Sequence, residues 1–236
     1  MGIKIENQNI VFEENQKISL PEPSENRTQK VEDSSLVDYI GLLASKLPAP
    51  GGGAASALCG AQGFALGSMV CNFTIGKAKF AQYEDRVKHI HQECLLEAKR
   101  MLDLMDLDEE NFIPLSKAYG IKAETEEEKA SKQKIMDEAL GIACLAPSEM
   151  IRNAHYGLTL LDELKDISSL MVVSDIGVAA ENFRATIDGA KLNVMINAKS
   201  LKDLELQKSM NEYIDEKSTV SMDIYKKVME FVYSKL

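Results

Sequence analysis

Residues 47–76 contain no charged side chain, although 27% of the whole chain is Asp, Glu, Lys or Arg. The segment opens with Pro48-Ala49-Pro50-Gly51-Gly52-Gly53, in which prolines end any preceding helix and glycines leave backbone N–H groups accessible. This pattern predicts a helix over about residues 53–75 with one face almost free of side chains, open to another backbone or a flat ligand. The small residues that form this face recur every three or four positions, at Gly53, Ser56, Gly60, Gly63 and Gly67.

The same segment is long enough to cross a membrane. Its Ala, Gly and Ser content, together with Gln62, Asn72 and Thr74, gives weak hydropathy, and no other segment resembles a span. We therefore interpret it as the buried central helix of a soluble protein, without a membrane partner. Residues 1–17 are mostly polar and lack the apolar core of a secretory signal.

Length and composition favour one helical domain over residues 34–236, preceded by an N-terminal extension over residues 1–33 that is expected to be loosely ordered or to lie across a partner subunit. The formal net charge of -10 argues against nucleic acid as a partner, because phosphate binding needs a basic face. No Cys-x-x-Cys pair occurs, and the cysteines lie mostly in apolar helical stretches, as reduced core thiols do, so a cytoplasmic location is expected. They are Cys59, Cys71, Cys94 and Cys144.

Helical signals dominate the chain from Ser34 onward, and no segment predicts a sheet. The predicted fold class is therefore all-α, a single-domain antiparallel helical bundle around the glycine-lined helix. The other expected helices run from a Ser34 or Ser35 cap to about Lys46, over residues 80–105 and 109–119, from a Thr125 cap onward with Pro147 either starting a new segment or kinking the helix, over residues 174–198 with an interruption near Gly189, and over residues 203–236.

Several familiar site motifs are missing. Gly76-Lys77 is followed by Ala78, which does not fit a phosphate-binding loop. His89 and His91 are two apart on a predicted helix and cannot share a face, so no metal site is predicted. No nucleophile elbow supports a serine or cysteine triad. Carboxylates, amides and lysines remain as candidates.

Two aspartates and two asparagines stand out among these candidates. Asp108 lies at a predicted junction between helices and Asp175 follows Ser174, and helix capping is the simplest structural explanation for each aspartate. Asn193 and Asn197 are four apart and share one helical face, where buried amides must find polar partners or a ligand.

Seven blocks carry a family resemblance. They are Pro48-Ala49-Pro50-Gly51-Gly52-Gly53, Gly67-Ser68-Met69-Val70, Gly76-Lys77, residues 112–120, residues 125–129, residues 174–179 and Asn193-Val194-Met195-Ile196-Asn197. In this order and spacing the chain resembles the cyclodeaminase/cyclohydrolase family of folate enzymes over about residues 35–236. Residues 112–129 look most like the stand-alone bacterial cyclohydrolase branch.

The resemblance implies an all-helical homodimer that acts on a folate without a metal or redox cofactor. It maps the family's catalytic aspartate onto Asp108 and implies a second catalytic carboxylate at Asp175. It also implies a substrate-binding set, namely Pro50, Gly51, Gly52, Gly53, Lys77, Ser174, Asn193 and Asn197. The expected activity is methenyltetrahydrofolate cyclohydrolase, and formiminotetrahydrofolate cyclodeaminase is the alternative.

The chain departs from the family pattern at three places. Asn111 replaces the usual alanine, Ile121-Lys122-Ala123 replaces Leu-Pro-Lys, and Ser168-Ser169 replaces a Gly-Asn or Gly-Ser pair. These departures concern contacts to the pterin or the glutamate tail more than the acid–base group. A non-catalytic folate-binding or scaffold dimer is therefore a second alternative.

Overall fold

The computed structural model describes residues 3–6, 9–12, 30–31 and 34–236. All regular structure within residues 34–236 is helical, as predicted. Two short 3₁₀ helices, Ala78–Tyr83 and Leu170–Val172, precede the third and sixth α-helices. The α-helices are α1 (Leu36–Leu43), α2 (Gly52–Asn72), α3 (Glu84–Tyr119), α4 (Glu126–Ala143), α5 (Leu145–Ile167), α6 (Val173–Ala198) and α7 (Leu204–Tyr233).

The prediction that no segment forms a sheet is wrong for the N-terminal extension. Strands β1 (Ile3–Glu6) and β2 (Asn9–Phe12) pair antiparallel. β-Branched residues at several of these positions favour extended structure, and the two-residue gap between the strands suits a hairpin. The N-terminal extension was expected to be loosely ordered or to lie across a partner subunit. Most of its other residues lie outside the described ranges, so this stays a prediction.

The predicted helix starts are largely confirmed by side-chain caps. Ser35 accepts a hydrogen bond from the Asp38 N–H at the start of α1. Thr125 and Glu128 form a capping box at the start of α4, and Asp203 caps α7. Each side chain satisfies an N–H group that has no partner inside its own helix.

Two predicted helix interruptions are wrong. Helix α6 passes through Gly189 without a break, and α3 continues through the expected junction near Asp108. Aspartate is a weak helix former in isolation, but tertiary contacts override this preference. The Asp106 Oδ1 atom accepts a hydrogen bond of 2.6 Å from the Val31 N–H, and Asp108 lies against α2, so neither residue acts as a cap for α3.

Helix α2 is the centre of the bundle and packs against α3, α5 and α6. It is long and apolar enough to cross a membrane by length and composition, yet 61% of its apolar stretch is buried inside the bundle. This burial confirms the interpretation of α2 as a core helix. The four cysteines are free thiols, and all but Cys59 are buried.

Helices α2 and α6 run antiparallel and approach closely because glycines face larger side chains. Gly52 lies beside Asn193, and Gly63 lies against the Phe183 ring. Ser56 lies against Gly189 between these two contacts, and its carbonyl accepts a hydrogen bond of 3.0 Å from Thr186 Oγ1. The start of α2 is therefore fixed beside the end of α6.

Gly157→Ala is expected to destabilise the protein by about 1–3 kcal/mol, because a Cβ atom would overpack the core. That atom would lie 2.3 Å from Phe183 Cζ, and Phe183 is only 1% exposed. The matched control is Gly141→Ala in α4, where a Cβ atom meets nothing within 4 Å. This control should stabilise the protein by about 0.5–1 kcal/mol through helix propensity. Urea unfolding measures both effects, and equal stability of the two variants would contradict the packing argument.

Candidate functional site

The carboxyl group of Asp108 lies directly over the first turn of α2. A Cβ atom on Gly53 would stand 2.3 Å from both carboxyl oxygens, so only glycine leaves room for this contact. The carboxyl group also accepts a hydrogen bond from the Ala54 N–H. The start of a helix carries partial positive charge and unpaired N–H groups, which makes it a favourable place for an acidic side chain.

Burial raises the pKa of the Asp108 carboxyl to about 6 from an ordinary value of 3.8. The Ala54 N–H lowers this pKa and the negative charge of Glu109 raises it, but desolvation is the largest of the three effects. A carboxyl group that titrates near neutrality can both accept and donate a proton at physiological pH.

Asn193 flanks the start of α2 from α6. Its amide nitrogen and oxygen lie 3.6 and 3.7 Å from the position of a Cβ atom on Gly52. The Asn193 side-chain NH₂ donates a hydrogen bond of 2.9 Å to the Gly189 carbonyl. Asn197, one turn further along α6, donates a hydrogen bond of 3.4 Å to the Ala143 carbonyl at the end of α4. Both amides therefore have a backbone partner, as the sequence argument required.

The glycine turn leaves an open floor between these side chains. Pro50 is buried, and Gly51, the N-cap of α2, has nothing within 4 Å of where a Cβ atom would stand. Gly52 is exposed and Gly53 is buried. A ligand above this floor would meet the N-terminal turn of α2, one carboxyl group of raised pKa and an amide.

Lys77, Ser174 and Asp175 lie at the opposite end of the α2–α6 pair. Helix α2 alone separates Gly53 from Lys77 by about 30 Å, and α6 separates Asp175 from Asn193 by about 27 Å, at 1.5 Å per residue. Lys77 Nζ donates a hydrogen bond of 2.9 Å to Ser169 Oγ, just before α6 begins. One chain therefore does not bring Asp175 to Asp108, and the roles of both aspartates stay predictions.

Sequence reasoning missed the contacts that hold the glycine turn in place. Ser56 Oγ donates a hydrogen bond of 2.8 Å to the Gly52 carbonyl, and its hydroxyl fills the space above Gly189. The only sequence signal was the place of Ser56 in the series of small residues. Among the residues that the structure describes, no group of three His, Cys, Asp or Glu side chains is placed to hold a metal ion.

Several known proteins are similar to this chain. The chain is 34% identical to a methenyltetrahydrofolate cyclohydrolase from Methylorubrum extorquens, over 83% of this chain and 96% of that protein. It is 28% identical to mouse formimidoyltransferase-cyclodeaminase over 77% of this chain, and the match spans 34% of the mouse protein.

A solved structure of a formiminotetrahydrofolate cyclodeaminase from Thermotoga maritima is also similar. It matches with a TM-score of 0.78 and 29% identity, over 87% of this chain and 98% of that one. The family model described as formiminotransferase-cyclodeaminase matches residues 35–216. With this match, the resemblance found in the sequence is confirmed, and the chain belongs to the formiminotransferase-cyclodeaminase family.

Proposed function

We propose that the protein is a methenyltetrahydrofolate cyclohydrolase that hydrolyses 5,10-methenyltetrahydrofolate to 10-formyltetrahydrofolate. The observation that carries this proposal is the Asp108 carboxyl group, with a pKa of about 6, held over Gly53 at the start of α2. The similarity to the Methylorubrum extorquens cyclohydrolase supports it, because that match spans 96% of a protein with this single named activity.

The reaction needs a group that accepts a proton and then returns it. Water adds to the cationic carbon between N5 and N10, and Asp108 takes one proton from the water as the new C–O bond forms. Asp108 then gives this proton to N5 while the C–N5 bond breaks, and the remaining hydroxyl proton leaves as the formyl C=O forms. One proton is released in total, and a carboxyl group that titrates near neutrality suits both transfers.

The surrounding groups would bind and orient the folate. In this proposal the Asn193 and Asn197 amides hydrogen-bond the substrate, and first-turn N–H groups of α2 stabilise negative charge on the new oxygen. The open glycine floor at Gly51 and Gly52 accommodates the flat pterin or aminobenzoate ring. The proposal includes a cytoplasmic homodimer that needs no metal or redox cofactor.

The second candidate function is formiminotetrahydrofolate cyclodeaminase. The structural match to the Thermotoga maritima protein of that name, over 98% of its chain, favours it. The same carboxyl group would serve, because this reaction also occurs at the carbon between N5 and N10, with N10 attacking and ammonia leaving. A non-catalytic folate-binding dimer is the remaining alternative.

Purified protein distinguishes these functions directly. Accelerated loss of the methenyl absorbance supports the cyclohydrolase, and ammonia release from formiminotetrahydrofolate supports the cyclodeaminase. If neither reaction exceeds the buffer rate, the proposed catalytic function is wrong. Calorimetric titration with a folate would then identify a binding role.

The rate should also depend on pH through Asp108. After subtraction of the uncatalysed rate, kcat/KM is expected to rise with pH and level off above an apparent pKa of about 6, because only the ionised carboxylate accepts the water proton. Stopped-flow measurement of the methenyl absorbance from pH 5 to pH 8 tests this. A rate that is flat across that range would exclude Asp108 as the base.

A further inference from the structure

A second cleft lies between α3 and α5, with a volume of about 450 Å³. Small-molecule sites in proteins have volumes of about 300–1,000 Å³, so this cleft has the size of a metabolite-binding site. We name it the α3–α5 cleft, and its walls include Arg100, Leu104, Asp106 and Leu107 from α3 and Arg152 and Asn153 from α5. Asp106 and Asp108 are two positions apart, which turns them about 200° from each other around α3. The cleft and the candidate folate site therefore lie on different sides of this helix.

Asn153 is the side chain in this cleft that the fold itself does not explain. It is only 7% exposed, and its amide forms no hydrogen bond with any residue that the structure describes. Burying an amide without a partner is costly, whereas a leucine of similar size would avoid this cost. Because Asn153 lines the cleft, a ligand bound there can supply the missing donor and acceptor.

Asp106 places a negative charge in the wall of the same cleft. This residue is 8% exposed. Its Oδ1 atom accepts the hydrogen bond from the Val31 N–H, but its Oδ2 atom is buried without a hydrogen-bond partner. A carboxylate in this state attracts a nearby cation, because little water screens its charge. An ammonium group that enters the cleft is therefore expected near Asp106, and the Asn153 amide oxygen can accept one of its hydrogen bonds.

Two arginines can hold a negative group in the cleft from opposite walls. Arg100 on α3 pairs with Glu97, and Arg152 on α5 pairs with Glu149, each one turn earlier on its own helix. Each pair uses one terminal nitrogen of the guanidinium group, through Arg100 Nη1 and Arg152 Nη2. A guanidinium group carries five N–H donors, so both arginines keep donors for the carboxylate of a ligand.

The overall charge of the cleft favours a ligand that carries both signs. The cationic side chains in its walls are Lys30, Arg100 and Arg152. The acidic side chains in its walls are Asp103, Asp106, Glu110 and Glu149. A simple anion would be repelled by the acidic group and a simple cation by the basic group, whereas a zwitterion can interact favourably with both. Leu104 and Leu107, which are 7% and 39% exposed, add an apolar surface to the wall.

From these observations we infer that the α3–α5 cleft binds a free amino acid with an apolar side chain. The ammonium group of this ligand lies near Asp106 and Asn153, and its carboxylate lies between the two arginines. Its side chain covers the two leucines. The site is separate from the proposed folate chemistry, because neither Asp108 nor the glycine turn lines the cleft.

Ligand-observed NMR titration of the full chain tests this inference with L-leucine as the first probe. Two analogues each lack one charged group: 3-methylbutylamine has no carboxylate, and 4-methylpentanoate has no ammonium group. Each should bind at least about ten-fold more weakly than L-leucine, because each loses hydrogen bonds to charged partners. The other standard amino acids follow as probes. If none of them binds, or if either analogue binds as well as its parent amino acid, the inference is wrong.

Asn153→Leu tests whether the buried amide belongs to the site. This variant should bind L-leucine at least about ten-fold more weakly, because the ligand loses a hydrogen-bond partner. Its midpoint of urea unfolding should not fall, because leucine removes a buried amide that has no partner in the fold. Unchanged affinity for L-leucine in a folded Asn153→Leu protein would place binding elsewhere and overturn the inference.

Arg152→Met tests the other end of the ligand and leaves the buried part of the cleft intact. It keeps an unbranched side chain but removes the guanidinium group, so L-leucine should bind about ten-fold more weakly. Binding of 3-methylbutylamine should not weaken, because this probe has no carboxylate. The matched control is Arg184→Met on α6, where Arg184 forms the same i,i+3 pair with Glu181 outside the cleft. Equal loss of L-leucine binding in both variants would contradict a specific role for Arg152.

The inference and the proposed function can fail separately. If the wild type binds L-leucine as described but converts neither folate, the proposed function is wrong and the amino-acid site stands. If the wild type converts a folate but binds no amino acid, the inference is wrong and the function stands. Asn153→Leu should keep the turnover of the wild type, because Asn153 belongs to the cleft and not to the candidate folate site.

Discussion

Asp108→Asn is expected to lower turnover by about 10²–10⁴-fold, because the variant keeps the shape of the side chain but cannot accept a proton. The amide oxygen can still accept the hydrogen bond from the Ala54 N–H, so the start of α2 should keep its structure. The main effect should therefore be on kcat, with a smaller effect on KM. Loss of the methenyl absorbance under single-turnover conditions measures the chemical step.

The same substitution should stabilise the folded protein at neutral pH. Folding raises the pKa of Asp108 from 3.8 to about 6, so the wild type loses stability as the pH rises through this interval and the buried carboxyl group ionises. An asparagine does not ionise. The variant should therefore be about 1–3 kcal/mol more stable at pH 7 and equal to the wild type at about pH 3 or below, since one pKa unit corresponds to about 1.4 kcal/mol.

Asp103→Asn is the matched control on the same helix. Asp103 is exposed and forms an i,i+4 ion pair with Lys99, which contributes little to stability. This control should change neither turnover nor the pH dependence of unfolding. If Asp108→Asn keeps full turnover, Asp108 is not the acid–base group, although the family assignment stands. If its stability follows that of the wild type at every pH, Asp108 is not desolvated.

The sequence predicted most of the fold because its strongest patterns are local. Proline and glycine before a long uncharged segment located α2, and Ser35, Thr125 and Asp203 marked helix starts through the hydrogen bonds that their side chains make nearby. The predicted break in α3 was wrong because contacts distant in sequence accompany the unbroken helix, and local patterns do not show them. Asp106 is held by the Val31 N–H, 75 positions earlier in the chain, and periodicity carries no information about such a contact.

The candidate site could be predicted as a set of residues but not as an arrangement. Resemblance indicated Asp108, Asn193 and Lys77 together, whereas the structure places Lys77 beside Ser169 at the far end of α2. The length of α2 sets the distance between Asp108 and Lys77. The motifs alone do not give this distance. The raised pKa of Asp108 also depends on burial, which follows from how α2 crosses α3.

Gly53→Ala is expected to reduce turnover almost as much as loss of the carboxyl group itself. The new Cβ atom would stand 2.3 Å from both oxygens of Asp108, closer than any real contact, so the carboxyl group must move away from the start of α2. A displacement of about 1 Å in a catalytic group can cost about 10²-fold in rate. The displaced carboxyl group would also lose the Ala54 N–H and gain solvent, so the pH–rate profile should change together with kcat.

Gly52→Ala separates this effect from a general effect of alanine in the turn. A Cβ atom on Gly52 would lie 3.6 Å from the nearest atom of Asn193, which is an ordinary contact, so Asp108 should keep its place. We expect this variant to keep the wild-type pH–rate profile and to change mainly KM, because its methyl group covers part of the open floor. If Gly53→Ala and Gly52→Ala lower kcat equally and leave the profile unchanged, the position of the Asp108 carboxyl group over Gly53 does not control the chemistry.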